Sequence, residues 1–367
     1  MGDLFDKDFL SNEESLFKNH LALDTSFFPP IVKYRENEQK YIAECIKPLF
    51  NKRNGKNLII TGSPGIGKTL AVRAVFKELE EEGFDDQVKP IYINCWKDSS
   101  MHRIALVICD ALNYKFVQNK NSNELFDEIK RILNRKSTVI CFDEADRIED
   151  ISVIYLILEQ IYNKTLIFIT NNKEWLVKLD NRLKSRLMLE PLDFRAYNKE
   201  EIEGILKQRI DYAFVNNVFS REALTEISNF TFKVNDIRAG LFLLRESGNI
   251  AESFSSKKVL LEYAIKAIDK VSRVKQELSL NEKIKNFDDD KKVLCGIIKE
   301  NEGKSSTEIH EIFVKRTGKD IKYRRFRESK LNYLRDSGFI KLEEISLGVQ
   351  GTKTIVKLNS EKKLDEF

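Results

Sequence analysis

Gly62-Ser63-Pro64-Gly65-Ile66-Gly67-Lys68-Thr69 fits the pattern GxxxxGK[ST], and it stands between a short apolar run, Asn57–Thr61, and a helical pattern, Leu70–Glu81. Strand, glycine loop and helix in that order is the setting in which this pattern has a physical meaning. Glycines let the backbone wrap around an anion and aim its N–H groups inward, and the helix N-terminus adds favourable partial charge. Gly62, Ser63, Pro64, Gly65, Ile66 and Gly67, with Leu70 behind them, are therefore the expected phosphate cradle. Lys68 is expected to reach the β- and γ-phosphates, and Thr69 to ligate Mg²⁺ through its hydroxyl. A glycine turn followed by a chance Lys-Thr is the alternative, and the flanking context argues against it. ATP or ADP with Mg²⁺ is the cofactor set this motif predicts.

Further apolar runs too short for helices occur at Pro90–Asn94, Thr138–Phe142 and Leu166–Thr170, with a weaker one at Leu187–Leu192. Helical segments lie between them, beginning with Glu36–Phe50. This alternation predicts a parallel sheet covered by helices. Asn198 to about Lys270 shows helical periodicity without a strand signal and reads as a separate helical subdomain. Residues 271–287 are polar, and Asp288-Asp289-Asp290 reads as a helix start. The expected division is an N-terminal arm (1–30), a nucleotide-binding α/β domain (31–195), a helical lid (196–275) and a winged helix (285–360).

Val139-Ile140-Cys141-Phe142-Asp143-Glu144 is an apolar strand ending in two carboxylates, the end that faces ligand in open α/β sheets. Asp143 is expected to hold Mg²⁺ and Glu144 to polarise the attacking water. Asn171, closing the next strand, is placed to orient that water or touch the γ-phosphate; an ordinary Asn turn is the alternative. Arg182 and Arg186 lie four apart, so one helical face presents both, either to a nucleotide on a neighbouring subunit or only to solvent. Arg238 begins a helix of the lid and reads as a γ-phosphate sensor or as a surface helix-start arginine.

The charge distribution says more than its total. Residues 270–367 hold 23 Lys and Arg against 17 Asp and Glu, while the remainder is slightly acidic. Glu308–Thr317 and Tyr323–Asp336 read as two helices. The second carries Lys322, Arg324, Arg325, Arg327 and Lys330 around an apolar stripe of Phe326, Leu331 and Leu334. A hairpin with a basic tip, including Gln350 and Lys353, follows Gly338-Phe339-Ile340. Helix–turn–helix plus hairpin is a winged helix. Its basic helix suits a DNA groove and phosphates, and a protein-binding winged helix is the alternative.

Taken in order, these segments resemble the archaeal replication initiators related to the origin recognition complex and the cell-division-control loader protein, which are AAA+ ATPases. The phosphate loop and Phe142-Asp143-Glu144-Ala145-Asp146 resemble the Walker motifs, and Thr170-Asn171 the first sensor. Arg182–Arg186 is similar to the arginine-finger segment, and Asn235-Asp236-Ile237-Arg238-Ala239-Gly240 to the second sensor. Tyr34-Arg35-Glu36-Asn37-Glu38 resembles the segment beside the adenine, so Tyr34 and Arg35 are implied base contacts. The stretch 97–114 matches an insertion that touches DNA in that family, although its basic content is only Lys97 and Arg103. The implied fold is an α/β AAA+ P-loop sheet domain with a helical lid, followed by a winged-helix DNA-binding domain. The implied activity is slow, switch-like ATP hydrolysis coupled to duplex origin DNA, with the replicative helicase and initiator paralogues or further copies as partners. A non-initiator AAA+ or signalling ATPase, or a regulator with a winged helix, is the rival reading. A clamp-loader subunit would end in a helical collar, which the C-terminal hairpin speaks against.

Several classes are excluded by composition. The five cysteines are scattered and form no CxxC pair, which argues against a disulfide framework or zinc knuckle. No apolar run approaches the roughly 18 residues of a membrane span, and the acidic N-terminus has no signal-peptide core. A cytoplasmic, nucleoid-associated protein without membrane contact is expected.

Overall fold

The computed structural model describes residues 15–285, 287–336, 338–346 and 352–358. The chain divides after Ile268 into two compact units. In the first, β1 (Leu58–Thr61), β2 (Val88–Asn94), β3 (Ser137–Asp143), β4 (Lys164–Ile169) and β5 (Glu190–Asp193) form one sheet in the order β2-β3-β4-β1-β5. Every pairing is parallel. All seven residues of β3 and all four of β1 are buried, as a sheet covered on both faces requires. The register sets Asp143 beside Ile169, and Ile169 beside Ile60. The C-terminal ends of β1, β3 and β4 are thereby neighbours, and each opens into a segment that carries chemistry.

Four of the helices that cover this sheet start on side-chain caps, supplied by Ser100, Asn121, Asn172 and Asp180. Helix α1 (Glu36–Ile46) precedes β1, and between the strands lie α2 (Lys68–Glu81), α3 (Met101–Ala111), α4 (Ser122–Leu133), α5 (Ser152–Gln160), α6 (Lys173–Lys178) and α7 (Asn181–Leu187). Asn121 and Glu124 form a reciprocal capping box on α4. The core joins Ile59, Ile93, Ile140, Phe142 and Phe168 to Ile104, Ile108, Leu125, Ile129 and Ile154, with Phe142 and Phe168 stacked at 5.3 Å. The stretch that resembles a DNA-touching insertion is mostly α3. Its Ile104, Ala105, Ile108 and Cys109 face this core, and His102 and Arg103 are exposed.

Two expected elements shift. The helix expected over Glu36–Phe50 is α1 to Ile46 and then a 3₁₀ turn over Lys47–Asn51, because Pro48 has no N–H to give an α-helical ladder. The weak strand expected at Leu187–Leu192 is β5 at Glu190–Asp193. Leu187 instead ends α7 with its side chain fully buried in the core.

The lid consists of α8 (Lys199–Ala213), α9 (Arg221–Val234) and α10 (Ile237–Ser253), followed by α11 (Leu261–Lys285). Asn198 and Glu201 form a second capping box. Gly240 has a packing reason. A Cβ there would lie 2.7 Å from Thr231 Oγ1 and 2.9 Å from Leu206 Cδ2, so glycine allows α8, α9 and α10 to close together. The polar stretch 271–287, which carries no strand or core signal, is helical as far as Lys285. Its Lys, Glu, Gln and Leu are good helix formers and propagate the helix by intrinsic preference.

In the second unit, α12 (Asp289–Glu300) and α13 (Ser306–Thr317) precede a continuous helical segment. That segment is α14 (Tyr323–Phe326), a π turn (Arg327–Leu331) and α15 (Asn332–Asp336). Asp288 caps α12 by accepting from Lys291 N, as the acidic cluster predicts. Strands β6 (Ile340–Ser346) and β7 (Thr352–Leu358) pair antiparallel as the wing. Ile298, Ile309, Phe313, Phe326, Leu331, Leu334, Phe339 and Val356 form the core. This is a winged helix.

Candidate functional site

The phosphate loop is held in the shape its glycines permit. Gly65 and Gly67 have φ of +75° and +89°. A Cβ on Gly65 would sit 2.0 Å from Asp236 Oδ1, so the lid's own helix start leans on the loop only because that residue is glycine. Lys68 is buried, and its ammonium donates to the carbonyls of Gly62 and Ser63 at 2.8 Å each and to Asn171 Oδ1 at 2.6 Å. Burial pulls its pKa below the usual lysine value, against the nearby carboxylates of Glu144 and Asp143.

The two carboxylates at the end of β3 differ in surroundings. Asp143 is buried, and its Oδ2 accepts from Thr69 Oγ1 at 2.7 Å and from Tyr92 Oη at 2.6 Å. Glu144 takes a left-handed backbone with φ of +53°, which costs a non-glycine residue about 1–2 kcal/mol. Its carboxylate accepts from Asn171 Nδ2 at 3.3 Å. Burial first, then the charges of Asp143 and Asp146, push the Glu144 pKa up, the direction a general base working near neutral pH needs.

These groups line one cavity of about 400 Å³ between sheet and lid. Pro64, Gly65, Ile66, Gly67, Lys68, Thr69, Leu70, Asp143, Glu144, Asn171 and Arg238 all reach its wall, with Ile205 and Leu241 of the lid. Gly62 and Ser63 stand behind the wall and serve Lys68 through their carbonyls. Arg238 starts α10, and its guanidinium lies on the carboxylate of its own N-cap, Asp236, at 3.1 Å. Arg182 and Arg186 are elsewhere. Both are exposed on α7, and Arg186 pairs with Glu159.

Tyr34 and Arg35, the implied base contacts, are not on the cavity wall. Arg35 is fully buried. It donates to the carbonyls of Ile66 at 3.0 Å and Arg195 at 2.7 Å, bonds Glu38 at 2.8 Å, and stacks on the Tyr197 ring at 3.9 Å. It therefore supports the phosphate loop from beneath and ties it to the segment leading into the lid. Tyr34 has φ of +62° and packs its hydroxyl against Gly204 of α8. The wall in that region comes from Phe27, Phe28, Pro29, Ile31 and Val32. Sequence reasoning also missed Tyr92. Its signal was an aromatic with a polar tip near the end of a strand adjacent to β3.

The chemistry of the donor set fits a nucleotide with a hard cation. A hydroxyl and a carboxylate meet 2.7 Å apart at the phosphate loop, and Mg²⁺ is commonly held by one or two protein oxygens plus phosphates. Among the described residues no group of three or more His, Cys, Asp or Glu forms a metal cluster, and the five cysteines are buried and unpaired.

In the winged helix, Lys322, Arg324 and Arg325 are exposed, while Arg327 is half-buried and pairs with Glu344 at 3.3 Å. Arg324 pairs with Glu328 yet is 90% exposed, and Lys353 on the wing lies 3.7 Å from Glu308. Lys330 departs from the expected DNA face. It is 12% exposed, bonded to Asp290 at 2.9 Å and stacked over Phe313, because its position in the π turn faces α12 and α13. Gln350 lies outside the described residues.

Comparison with known proteins agrees with this architecture. The AAA domain family matches residues 52–174, and the Cdc6 AAA+ ATPase-type lid domain family matches residues 203–269. The ORC1-type DNA replication protein 2 of Methanothermobacter thermautotrophicus is 27% identical over 371 residues, covering 95% of this chain and 94% of the relative. A structure of the Aeropyrum pernix ORC1 protein in complex with DNA is similar with a TM-score of 0.62 and 24% identity, covering 94% of both chains. The Aeropyrum pernix ORC2 protein, in ADPNP–ADP complexes, gives a TM-score of 0.64 at 18% identity, covering 95% of this chain and 96% of that one. By these matches the chain joins an AAA domain to a Cdc6 AAA+ ATPase-type lid domain, and over nearly its whole length it is similar to ORC1-type DNA replication proteins.

Proposed function

We propose that the chain is an ATP-dependent replication initiator. It binds ATP in the cavity between sheet and lid, holds duplex origin DNA through its winged helix and AAA+ domain, and helps recruit or load the replicative helicase. The observation that carries the nucleotide part is the convergence of Lys68, Thr69, Asp143, Glu144, Asn171 and Arg238, from separate elements, on one cavity. The loop amides and Lys68 bind the phosphates, Lys68 leaving the carbonyls of Gly62 and Ser63 to do so. Thr69 and Asp143 would hold Mg²⁺, which neutralises phosphate charge when bound. Glu144 takes a proton from the attacking water, and Asn171 fixes that water's position. Arg238 exchanges Asp236 for the γ-phosphate, so that lid position follows ATP or ADP state. Arg182 and Arg186 serve a neighbouring paralogue or copy, for which Arg186 must leave Glu159.

The DNA part rests on the exposed Lys322, Arg324 and Arg325 beside Arg327 and Lys353, and on relatives described as DNA replication proteins. The divisions 31–195, 196–275 and 285–360 belong to the same proposal, as does residence on the chromosome. Among the described residues, no helix is long and apolar enough to cross a membrane. An ATP titration with and without duplex DNA tests the reading. Wild-type protein is expected to bind ATP, and Lys68→Ala to lose it. Normal affinity in Lys68→Ala would overturn the site.

A further inference from the structure

Arg209 is a buried guanidinium of α8 with no carboxylate partner among the described residues. Its donors go to main-chain carbonyls of the segment before α1. Nη1 reaches Ala22 at 3.1 Å, and both terminal nitrogens reach Phe27 at 3.4 Å. Its guanidinium carbon also lies 5.1 Å from the Phe27 ring centroid. The adjacent Gln208 donates to the Ile31 carbonyl at 3.1 Å, and Tyr212, one turn on, places its ring 6.3 Å from Phe27. A cation taken out of water without a counter-ion is costly unless its hydrogen bonds are made. Here they are made by a strap whose next residues line the nucleotide cavity.

The strap's other anchors lie on the same side. Ser15 Oγ and Leu16 N each donate to Glu252 of α10 at 2.8 Å, and Phe17 packs on Phe214 at 4.5 Å. Lys18 N and Asn19 N donate to the Ala213 carbonyl. Among the described residues, the hydrogen bonds leaving the strap between Ser15 and Ile31 all end on the lid. Its link to the phosphate-loop helix is of a softer kind. Arg73 and Lys77 of α2 lie over the Phe28 ring at 5.9 and 5.2 Å. The aromatic and apolar wall formed by Phe27, Phe28, Ile31 and Val32 suits the nucleoside half of a nucleotide.

We infer that Arg209 is a positioning residue for nucleotide retention. By clipping the strap to α8 it makes this part of the cavity wall travel with the lid, so that the wall closes on the nucleoside when the lid closes and leaves with it when the lid opens. The inference deepens the nucleotide reading above and rests on it. Nothing in it requires Arg209 to touch the nucleotide.

The test is the release rate of a fluorescent ADP analogue from the full chain, measured beside single-turnover hydrolysis of bound ATP. Arg209→Met keeps the stem and removes the donors. Release is expected to be about tenfold faster, the equivalent of one charged hydrogen bond, with a much smaller change in the hydrolytic step. Arg209→Lys should recover part of the loss. Glu252→Ala loosens the strap's other anchor away from the cavity and should speed release in the same direction, more weakly; with Arg209→Lys it carries the test if Arg209→Met does not fold. A folded Arg209→Met with wild-type release, or release and hydrolysis damaged to the same extent, would overturn the clip while leaving the nucleotide site standing. Wild-type protein that retains no ADP would overturn both.

Discussion

Asn171 accepts a hydrogen bond from Lys68 Nζ at 2.6 Å and turns its amide nitrogen toward the carboxylate of Glu144 at 3.3 Å. One side chain at the end of β4 therefore links the phosphate-loop lysine to the carboxylate assigned as base. The link follows from strand order. β4 lies between β1 and β3, so the residue that closes it faces the loops that follow both neighbours. In the proposed cycle a γ-phosphate replaces Asn171 as the partner of Lys68, which leaves the amide to position water for Glu144.

Glu144→Gln is expected to bind ATP normally and to lose turnover by about 10²–10⁴-fold, the usual worth of a positioned general base. Because Glu144 is pushed above the ordinary carboxylate range by burial and by Asp143, kcat/KM should fall as pH is lowered through that raised pKa. The acid limb should vanish in the variant. A pH profile of both proteins checks this, and an identical acid limb in Glu144→Gln would assign the base elsewhere.

Tyr92→Phe removes the hydroxyl of a half-buried side chain that donates to the buried Asp143. Stability of the nucleotide-free protein is expected to drop by about 1.5–3 kcal/mol, as for a hydrogen bond to a charged group, when measured by denaturant unfolding. Mg²⁺ and ATP should recover part of the difference, because a bound cation supplies Asp143 with another partner.

Arg324, Arg325 and Arg327 replaced together by Ala should weaken duplex DNA binding and flatten its salt dependence, by about 0.9 in log–log slope for each phosphate left without its cation. Lys330→Ala should behave differently, lowering stability with little effect on the slope, since Lys330 is held by Asp290. Hydrogen bonds from Lys319 and Lys330 hold the Asp290 carboxyl below its usual range. Its contribution is thus present above the unfolded-state pKa and is lost as pH falls through the folded one. Fluorescence anisotropy across a salt series separates the two classes of residue, and equal slopes for all variants would remove this helix from the interface.

The parts of the site read most directly from sequence were those whose backbone and chemistry are local. Gly62–Thr69 carries its own strand and helix context, and Asp143-Glu144 ends an apolar run, so both could be placed without tertiary information. Arg35 was harder. A motif likeness set it beside the base, but its full burial under Ile66 and Tyr197 depends on residues some thirty and one hundred and sixty positions away. The same holds for the strap, whose partners Arg209 and Glu252 are distant and whose own sequence has no strong period. Lys330 looked basic and therefore exposed. Its pairing with Asp290 could be seen only once the π turn rotated it toward α12. The polar run 271–287 was given no element from its sequence, and helix propensity carries α11 through it as far as Lys285.

The most direct test of the initiator reading is recovery of genomic DNA fragments by the purified protein with ATP at near-physiological salt, alongside Lys68→Ala. A few discrete loci near a replication origin, enriched by wild-type protein and lost or weakened in the variant, are the predicted result. Uniform enrichment that fades with added salt and is the same in both proteins would contradict it, leaving an ATPase that holds DNA by charge alone.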